Sequence, residues 1–181
     1  MPEQSTLTYE GILELFRETD RRMKETDRLM KEVCKKISDL GSRTREIIES
    51  MIKGNIVEKF QELGYEVTEY GCEKSFKNNN LGISGDIDMF LDDGEVAIFI
   101  EVEDSLETAD VRKHIERLEK YRRHTDTKGV NKRRFIGAVA GVDVSDDAIR
   151  FAQESGLYVI VQSREAVEIV TPPAGFQAKE W

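Results

Sequence analysis

At 181 residues the chain is long enough for one domain with a sizeable core and an appendage, and too short for two large domains. Hydrophobic residues make up 39% and charged residues 35%, which excludes disorder throughout, and no apolar run approaches the roughly 20 residues that a bilayer-spanning helix needs. A formal net charge of −9 argues against a protein that coats nucleic acid by bulk attraction.

The N-terminus, "MPEQSTLTYE", lacks the basic start and apolar core of a signal peptide, so a cytoplasmic location without membrane contact is expected. Cys34 and Cys72 form no CxxC pair and read as reduced thiols. The first 41 residues carry a direct repeat, "ETDRRMK" from Glu18 and "ETDRLMK" from Glu25, and seven is the coiled-coil period. Ile12, Phe16, Thr19, Met23, Thr26, Met30, Val33, Ile37 and Leu40 step alternately by four and three residues, as a seam requires. This predicts a heptad helix from about Thr8 to Leu40, ended by Gly41, through which the protein forms a homo-oligomer; two threonines at d weaken the seam, and the alternative is that the helix packs on its own domain.

A second helix is expected over 44–63, followed by a strand in "GYEVTEY". The run "KSFKNNNLGISG" from Lys74 to Gly85 reads as a polar loop. "DIDMFL" and "EVAIFIEV" flank "DDG", a strong hairpin signal. Then come a helix over 107–123, the strand "RFIGAVAGV", a helix over 145–154, and the strands "LYVIVQ" and "AVEIV". Pro172 and Pro173 end the last strand, leaving a loose tail over 173–181. The order is that of an α/β protein with a mixed sheet flanked by helices, occupying 42–172 behind the coiled-coil-like helix of 1–41.

The hairpin concentrates acid. A two-residue loop at Asp93-Gly94 sets Asp86 opposite Glu101, whereas one at Gly94-Glu95 sets Asp88 opposite Glu101. In both registers Asp86, Asp88, Glu101 and Glu103 share one face, and only a loop of odd length would separate them. Two such charges about 4 Å apart repel by around 4 kcal/mol at an effective dielectric near 20. A divalent cation, ion pairs to Lys or Arg, or protonation of one member would relieve this. Carboxylates suit Mg2+ or Mn2+.

A basic stretch follows. From Arg112 to Arg134 ten Lys and Arg residues face three acids, enough to hold phosphates locally on an acidic chain. Arg112, Arg117, Arg122 and Arg123 are the candidate nucleic-acid contacts, and Tyr121 is better read as core than as a base-stacking residue. His114 and His124 lie ten apart, with no helical or strand relation that would make them ligands together, and read as surface or phosphate-neighbouring residues, although His114 beside Lys113 could contribute to a site. "GAVAG" from Gly137 is no dinucleotide fingerprint, since no glycine-rich turn opens the next helix; it reads as a packed strand.

The string "GDIDMFLDDGEVAIFIEVED" resembles the metal-binding hairpin of the PD-(D/E)XK nuclease superfamily, in which an Asp on one strand precedes Glu-x-Lys on the next. The likeness extends through "LGSRTREIIE", "VEKFQELGYEV", "VRKHIERLEKYRR", "IGAVAG" and "GLYVIVQS" to a group of prokaryotic proteins with a heptad helix of this type. It implies a restriction-endonuclease-like fold and metal-dependent hydrolysis of DNA. Asp88, Glu101 and Glu49 would hold Mg2+ or Mn2+, with Glu46 or Glu58 as alternatives to Glu49. One position departs. Where the superfamily has lysine this chain has Glu103, and a carboxylate cannot supply positive charge to a developing oxyanion. Either Glu103 helps hold a second metal ion, or Lys113 reaches in from the next helix; Asp88, Glu101, Glu103 and Lys113 are therefore the catalytic candidates. The alternative is a catalytically silent module that keeps the nuclease fold for binding nucleic acid or protein.

Overall fold

The structure, a computed structural model, describes residues 9–129, 132–162 and 167–181; within the first helix the side chains of 25–40 and several others lie outside that description. The described residues form two compact units, 1–42 and 43–181. Among them four helices and six strands follow in the order α1 (Tyr9–Lys53), α2 (Ile56–Glu62), β1 (Glu69–Asn78), β2 (Ile83–Asp92), β3 (Val96–Leu106), α3 (Thr108–Asp126), β4 (Arg134–Val144), α4 (Asp146–Glu154), β5 (Tyr158–Gln162) and β6 (Val167–Ile169).

All six strands form one mixed sheet in sequence order. The first three run antiparallel, β3, β4 and β5 are parallel, and β6 returns antiparallel. Strands β3 to β5 are nearly continuous apolar runs because helices cover both faces, as parallel strands require. Ile47, Ile48 and Met51 of α1 and Ile56 and Phe60 of α2 pack on Ile98, Ile100 and Val102. On the opposite face, Val111, Leu118 and Tyr121 of α3 and Ala148 and Ala152 of α4 pack on Phe99, Val139 and Val159. Alternation along β3 thus places Ala97, Phe99 and Glu101 toward α3, and Ile98, Ile100 and Val102 toward α1.

Three local expectations are corrected. Gly41 does not end a helix: α1 runs through it to Lys53, since one interior glycine costs only about 1 kcal/mol and no proline follows. The break falls at Gly54-Asn55, where Asn55 has a φ of 57°. The polar stretch from Lys74 is strand up to Asn78, and β2 begins at Ile83; only the tip between them turns, with Asn78 Oδ1 accepting the N–H groups of Asn80 and Leu81. The tail is docked. Trp181 and Phe135 exchange backbone hydrogen bonds at 3.0 and 3.3 Å, and Phe176 packs on Tyr158. This occupies β4 at Phe135 and Ile136, just before β5 begins pairing at Ala138, so backbone groups that β5 cannot reach are satisfied. Of the heptad positions, Phe16, Thr19 and Met23 are described and exposed; the side chains of Ile12, Thr26, Met30, Val33, Ile37 and Leu40 lie outside the described residues.

Candidate functional site

The hairpin turn fixes which carboxylates meet. Asp93 donates its N–H to the Val96 carbonyl at 3.2 Å, while its side chain accepts from Glu95 and Val96 and that of Asp92 accepts from Gly94. The two-residue tip is therefore Gly94-Glu95, with Gly94 at a φ of 92° that favours glycine. The resulting register, Asp92 opposite Ala97 through Met89 opposite Ile100, directs Asp88 toward Glu101.

At that point the sheet is irregular. The β2–β3 pairing stops at Met89 and Ile100, and the Val102 N–H donates instead to Asp88 Oδ2 at 2.9 Å. Across β2, Glu73 takes a φ of 55° between the pairs Cys72–Met89 and Lys74–Ile87. Ile87 packs with Phe76 and Phe99, whereas Met89 and Leu91 pack on the other face, so β2 turns over at Asp88. The expectation that four acids line one face assumed a regular strand. Asp86, beyond the turnover, is exposed. Burial raises the Asp88 carboxyl above its ordinary range, partly opposed by the Val102 N–H and by Arg117 and His114, with Asp86 adding to the rise.

Glu101 is 5% exposed and its Oε2 is ion-paired to the guanidinium of Arg117 from α3. The arginine stem reaches it over Gly85, where a Cβ would lie 3.3 Å from Arg117 Cγ and 2.8 Å from the Phe76 ring. His114, fully buried, lies with Nδ1 3.6 Å from Glu101 Oε2 and Nε2 3.1 Å from the Phe99 carbonyl. A carbonyl only accepts, so Nε2 carries the proton and Nδ1 presents a lone pair. Burial lowers the His114 pKa to about 4; the ring is neutral at pH 7, and its approach to Glu101 is not an ion pair. Both histidines were expected at the surface, yet His124 is also buried, against Phe76, where burial and then Lys128 lower its pKa.

Glu103 is half-buried. Burial, Asp110 and Asp88 raise its carboxyl, and Lys113 opposes them. Lys113 itself bonds Asp110 at 2.9 Å with its side chain 67% exposed, so its ammonium serves the first turn of α3 and not the Asp88–Glu101 pair. A cation that the sequence reading did not single out is Lys74 of β1, whose ammonium sits 4.6 Å from the Phe90 ring centre and 5.6 and 5.8 Å from those of Tyr121 and Phe99. Its neighbours come from three other elements, which is why no local pattern marks it.

Of the proposed ligands Asp88 and Glu101 meet across the hairpin, and Glu49 does not join them. Glu49 is exposed on α1, the helix packed on the sheet face away from Glu101, and Glu46 and Glu58 are exposed too. Among the described residues no three His, Cys, Asp or Glu side chains gather in a group that could hold a metal ion. Mg2+ needs free carboxylate oxygens with room for its waters; here Arg117 engages Glu101 Oε2 and the Val102 N–H engages Asp88 Oδ2.

The basic stretch also divides. Arg117 is turned inward, and Arg122 bonds the Arg133 carbonyl at 2.7 Å and Asp126 at 2.5 Å. Arg133 pairs with Asp92, and Arg134 with Glu180 at 3.1 Å. Arg112 lies over the Phe151 ring at 4.3 Å and is exposed, as are Lys120, Arg123, Lys128 and Lys132. Those last four make no ion pair among the described residues. Tyr121 is core, edge-on to Phe76, Phe99 and Phe135.

No family model and no curated protein matches the chain. Among solved structures, the EndoMS–dsDNA2 complex is similar over 64% of this chain at 16% identity and a TM-score of 0.35, and this chain spans 44% of the length of that one. An overlap that loose carries no argument for fold or function. Among the described residues no helix is long and apolar enough to cross a membrane.

Proposed function

We propose that the protein is a non-hydrolytic nucleic-acid-binding module whose mixed α/β sheet keeps a nuclease-like acidic hairpin as a structural knot. The observation that carries this reading is the Arg117 guanidinium on the buried Glu101 carboxylate. It already compensates the charge that a divalent cation would otherwise neutralise, and Glu103 stands where a catalytic lysine would be needed. Binding is assigned to the outward cations at the C-terminal end of α3 and the turn after it, Arg123, Lys128 and Lys132. Lys77 of β1 is exposed nearby, since the adjacent Asn78 bonds Thr127 at 3.1 Å. On a chain of net charge −9, such a patch confines phosphate contact to one corner.

The test is anisotropy of a labelled duplex and of a labelled single strand across a salt series. Salt-sensitive binding, weakened by Arg123→Glu with Lys128→Glu, is expected; unchanged curves for that double variant would sink the assignment. Plasmid incubated in Mg2+ or Mn2+ should stay intact. A second reading, a metal-dependent DNA hydrolase, is favoured by one observation: Glu103 lies within reach of the Asp88 charge, and burial raises both carboxyls. It would require Arg117 to leave Glu101. Cleavage abolished by Asp88→Asn would select it.

A further inference from the structure

The β1–β2 hairpin ends as a two-stranded arm. Strand β2 pairs with β3 from Met89 to Asp92, whereas β1 and β2 stay paired beyond that, from Lys74 opposite Ile87 out to Asn78 opposite Ile83. Phe76 and Ile87 of the arm join the apolar cluster beneath α3, and the Phe76 ring centre lies 5.5 Å from that of His124, so the tip over 79–82 sits beside the end of that helix. Asn78 fastens it there. Its Nδ2 donates to Thr127 Oγ1 at 3.1 Å, and its Oδ1 accepts the Asn80 and Leu81 N–H groups. Gly82 takes the left-handed backbone that closes the turn, at a φ of 62°. The turn is thereby complete without the side chains of Asn79, Asn80 and Leu81. All three are exposed, and among the described residues nothing bonds the Asn79 and Asn80 amides.

The surroundings of the tip are basic. The segment from Lys77 to Ser84 contains no acid. Lys77 precedes the residue that bonds Thr127 and Lys128 follows Thr127 itself; both are exposed, as is Arg123 in the last turn of α3. Asp126, the acid of that turn, is held by Arg122. The stretches 77–89 and 122–134 contain no Phe, Tyr or Trp, and their histidine, His124, is buried, so the aromatic platforms that grip unpaired bases are not offered here. Free amides on a fixed ribbon suit a duplex. Two strands about 4.8 Å apart, with their side chains, match the roughly 12 Å major groove of B-form DNA and exceed its roughly 6 Å minor groove. The deep, narrow major groove of duplex RNA does not admit them. An asparagine amide pairs with adenine N6 and N7, and an apolar side chain meets the thymine methyl. Resting on the nucleic-acid reading, we propose that the tip enters the major groove of duplex DNA, where Asn79 and Asn80 read adenines and Leu81 meets a thymine methyl, with Lys77, Arg123 and Lys128 on the flanking phosphates.

The full chain would be incubated with a pool of random-sequence DNA duplexes, and the retained fraction sequenced over successive rounds. Enrichment of a motif containing adenines is expected. Replacing those adenines by 7-deazaadenine, which lacks the N7 acceptor, should weaken binding about tenfold. Asn79→Ala with Asn80→Ala should bind the unselected pool as the parent does and enrich no motif, its thermal midpoint showing that the fold is kept. Arg123→Glu with Lys128→Glu should instead lower binding to every duplex alike. Salt-sensitive binding without an enriched motif, a motif unchanged in the asparagine variant, indifference to 7-deazaadenine, or tighter binding of single strands or duplex RNA would each overturn the proposal and leave nucleic-acid binding standing. Failure to bind DNA or RNA in any form would overturn both.

Discussion

Arg117 and Glu101 illustrate how much one ion pair can hold when it is nearly buried. Removing the cation by Arg117→Ala leaves a carboxylate 5% exposed facing a lone pair of His114, and stability should fall by about 3–5 kcal/mol. Urea unfolding measures this, and Glu101→Gln added to Arg117→Ala should recover part of the loss; an Arg117→Ala chain as stable as the parent would show that the pair does not hold this site. His114 gives the second expectation. Its pKa is about 4 in the fold and near 6.5 when unfolded. The unfolded chain therefore binds the proton first as pH falls, so the contribution of neutral His114 is complete above about pH 6.5. It is lost progressively toward pH 4, up to about 3 kcal/mol. A His114→Gln variant should show a flatter stability profile between those values; an unchanged slope would assign the acid lability to other groups.

Secondary-structure elements depend on caps and edges that the local sequence partly announces. Ser145 begins α4 by accepting the Ala148 N–H at 3.2 Å, so Ser145→Ala should cost about 1 kcal/mol, read as a shift in the thermal midpoint. Glu107 and Asp110 form the reciprocal box that starts α3. Neither the docking of the tail nor the roll of β2 is announced in this way. The tail opens at Pro173, directly after Pro172, and follows the last strand, features of a loose segment, yet a gap in the pairing of β4 receives it. Deleting 176–181 should remove the Phe176 packing and the Phe135 hydrogen bonds, lowering stability by roughly 2–4 kcal/mol. Chemical denaturation of the truncated chain tests it, and an unchanged midpoint would mean that the tail contributes nothing.

For the molecule as a whole, the balance of charge governs what it can approach. On a chain of net charge −9 the proposed contact rests on Arg123, Lys128 and Lys132, so the salt dependence of duplex binding should be shallow for its affinity. Reversal of Arg123 and Lys128 should reduce the slope of log K against log salt by about two. A slope that is steep and indifferent to these residues would place the contact elsewhere. Melting temperatures in Mg2+ and in chelator should coincide, since an ion that finds no assembled site cannot stabilise the fold; a rise in Mg2+ that disappears in Asp88→Asn would favour the hydrolase.

The amino-acid sequence by itself determined the alternation of strands and helices from β2 onward and the β2–β3 hairpin, and left open whether Asp86 or Asp88 lies opposite Glu101, which the turn at Gly94-Glu95 settled. The elements and the hairpin follow from periodicity and turn chemistry, which act over a few neighbouring residues. What happens to the Glu101 charge was decided only in the tertiary structure. Whether a buried carboxylate meets a metal ion or a guanidinium depends on which side chain a crossover helix lowers onto it, and Arg117 arrives from the helix after β3, over a glycine on another strand. The same reason hid Lys74 among its aromatic rings, placed Glu49 on the far side of the sheet, and turned half of an outwardly basic stretch into internal ties. Spacing along a chain reports which groups share a face only while the strand stays regular, and it does not report what is folded over them.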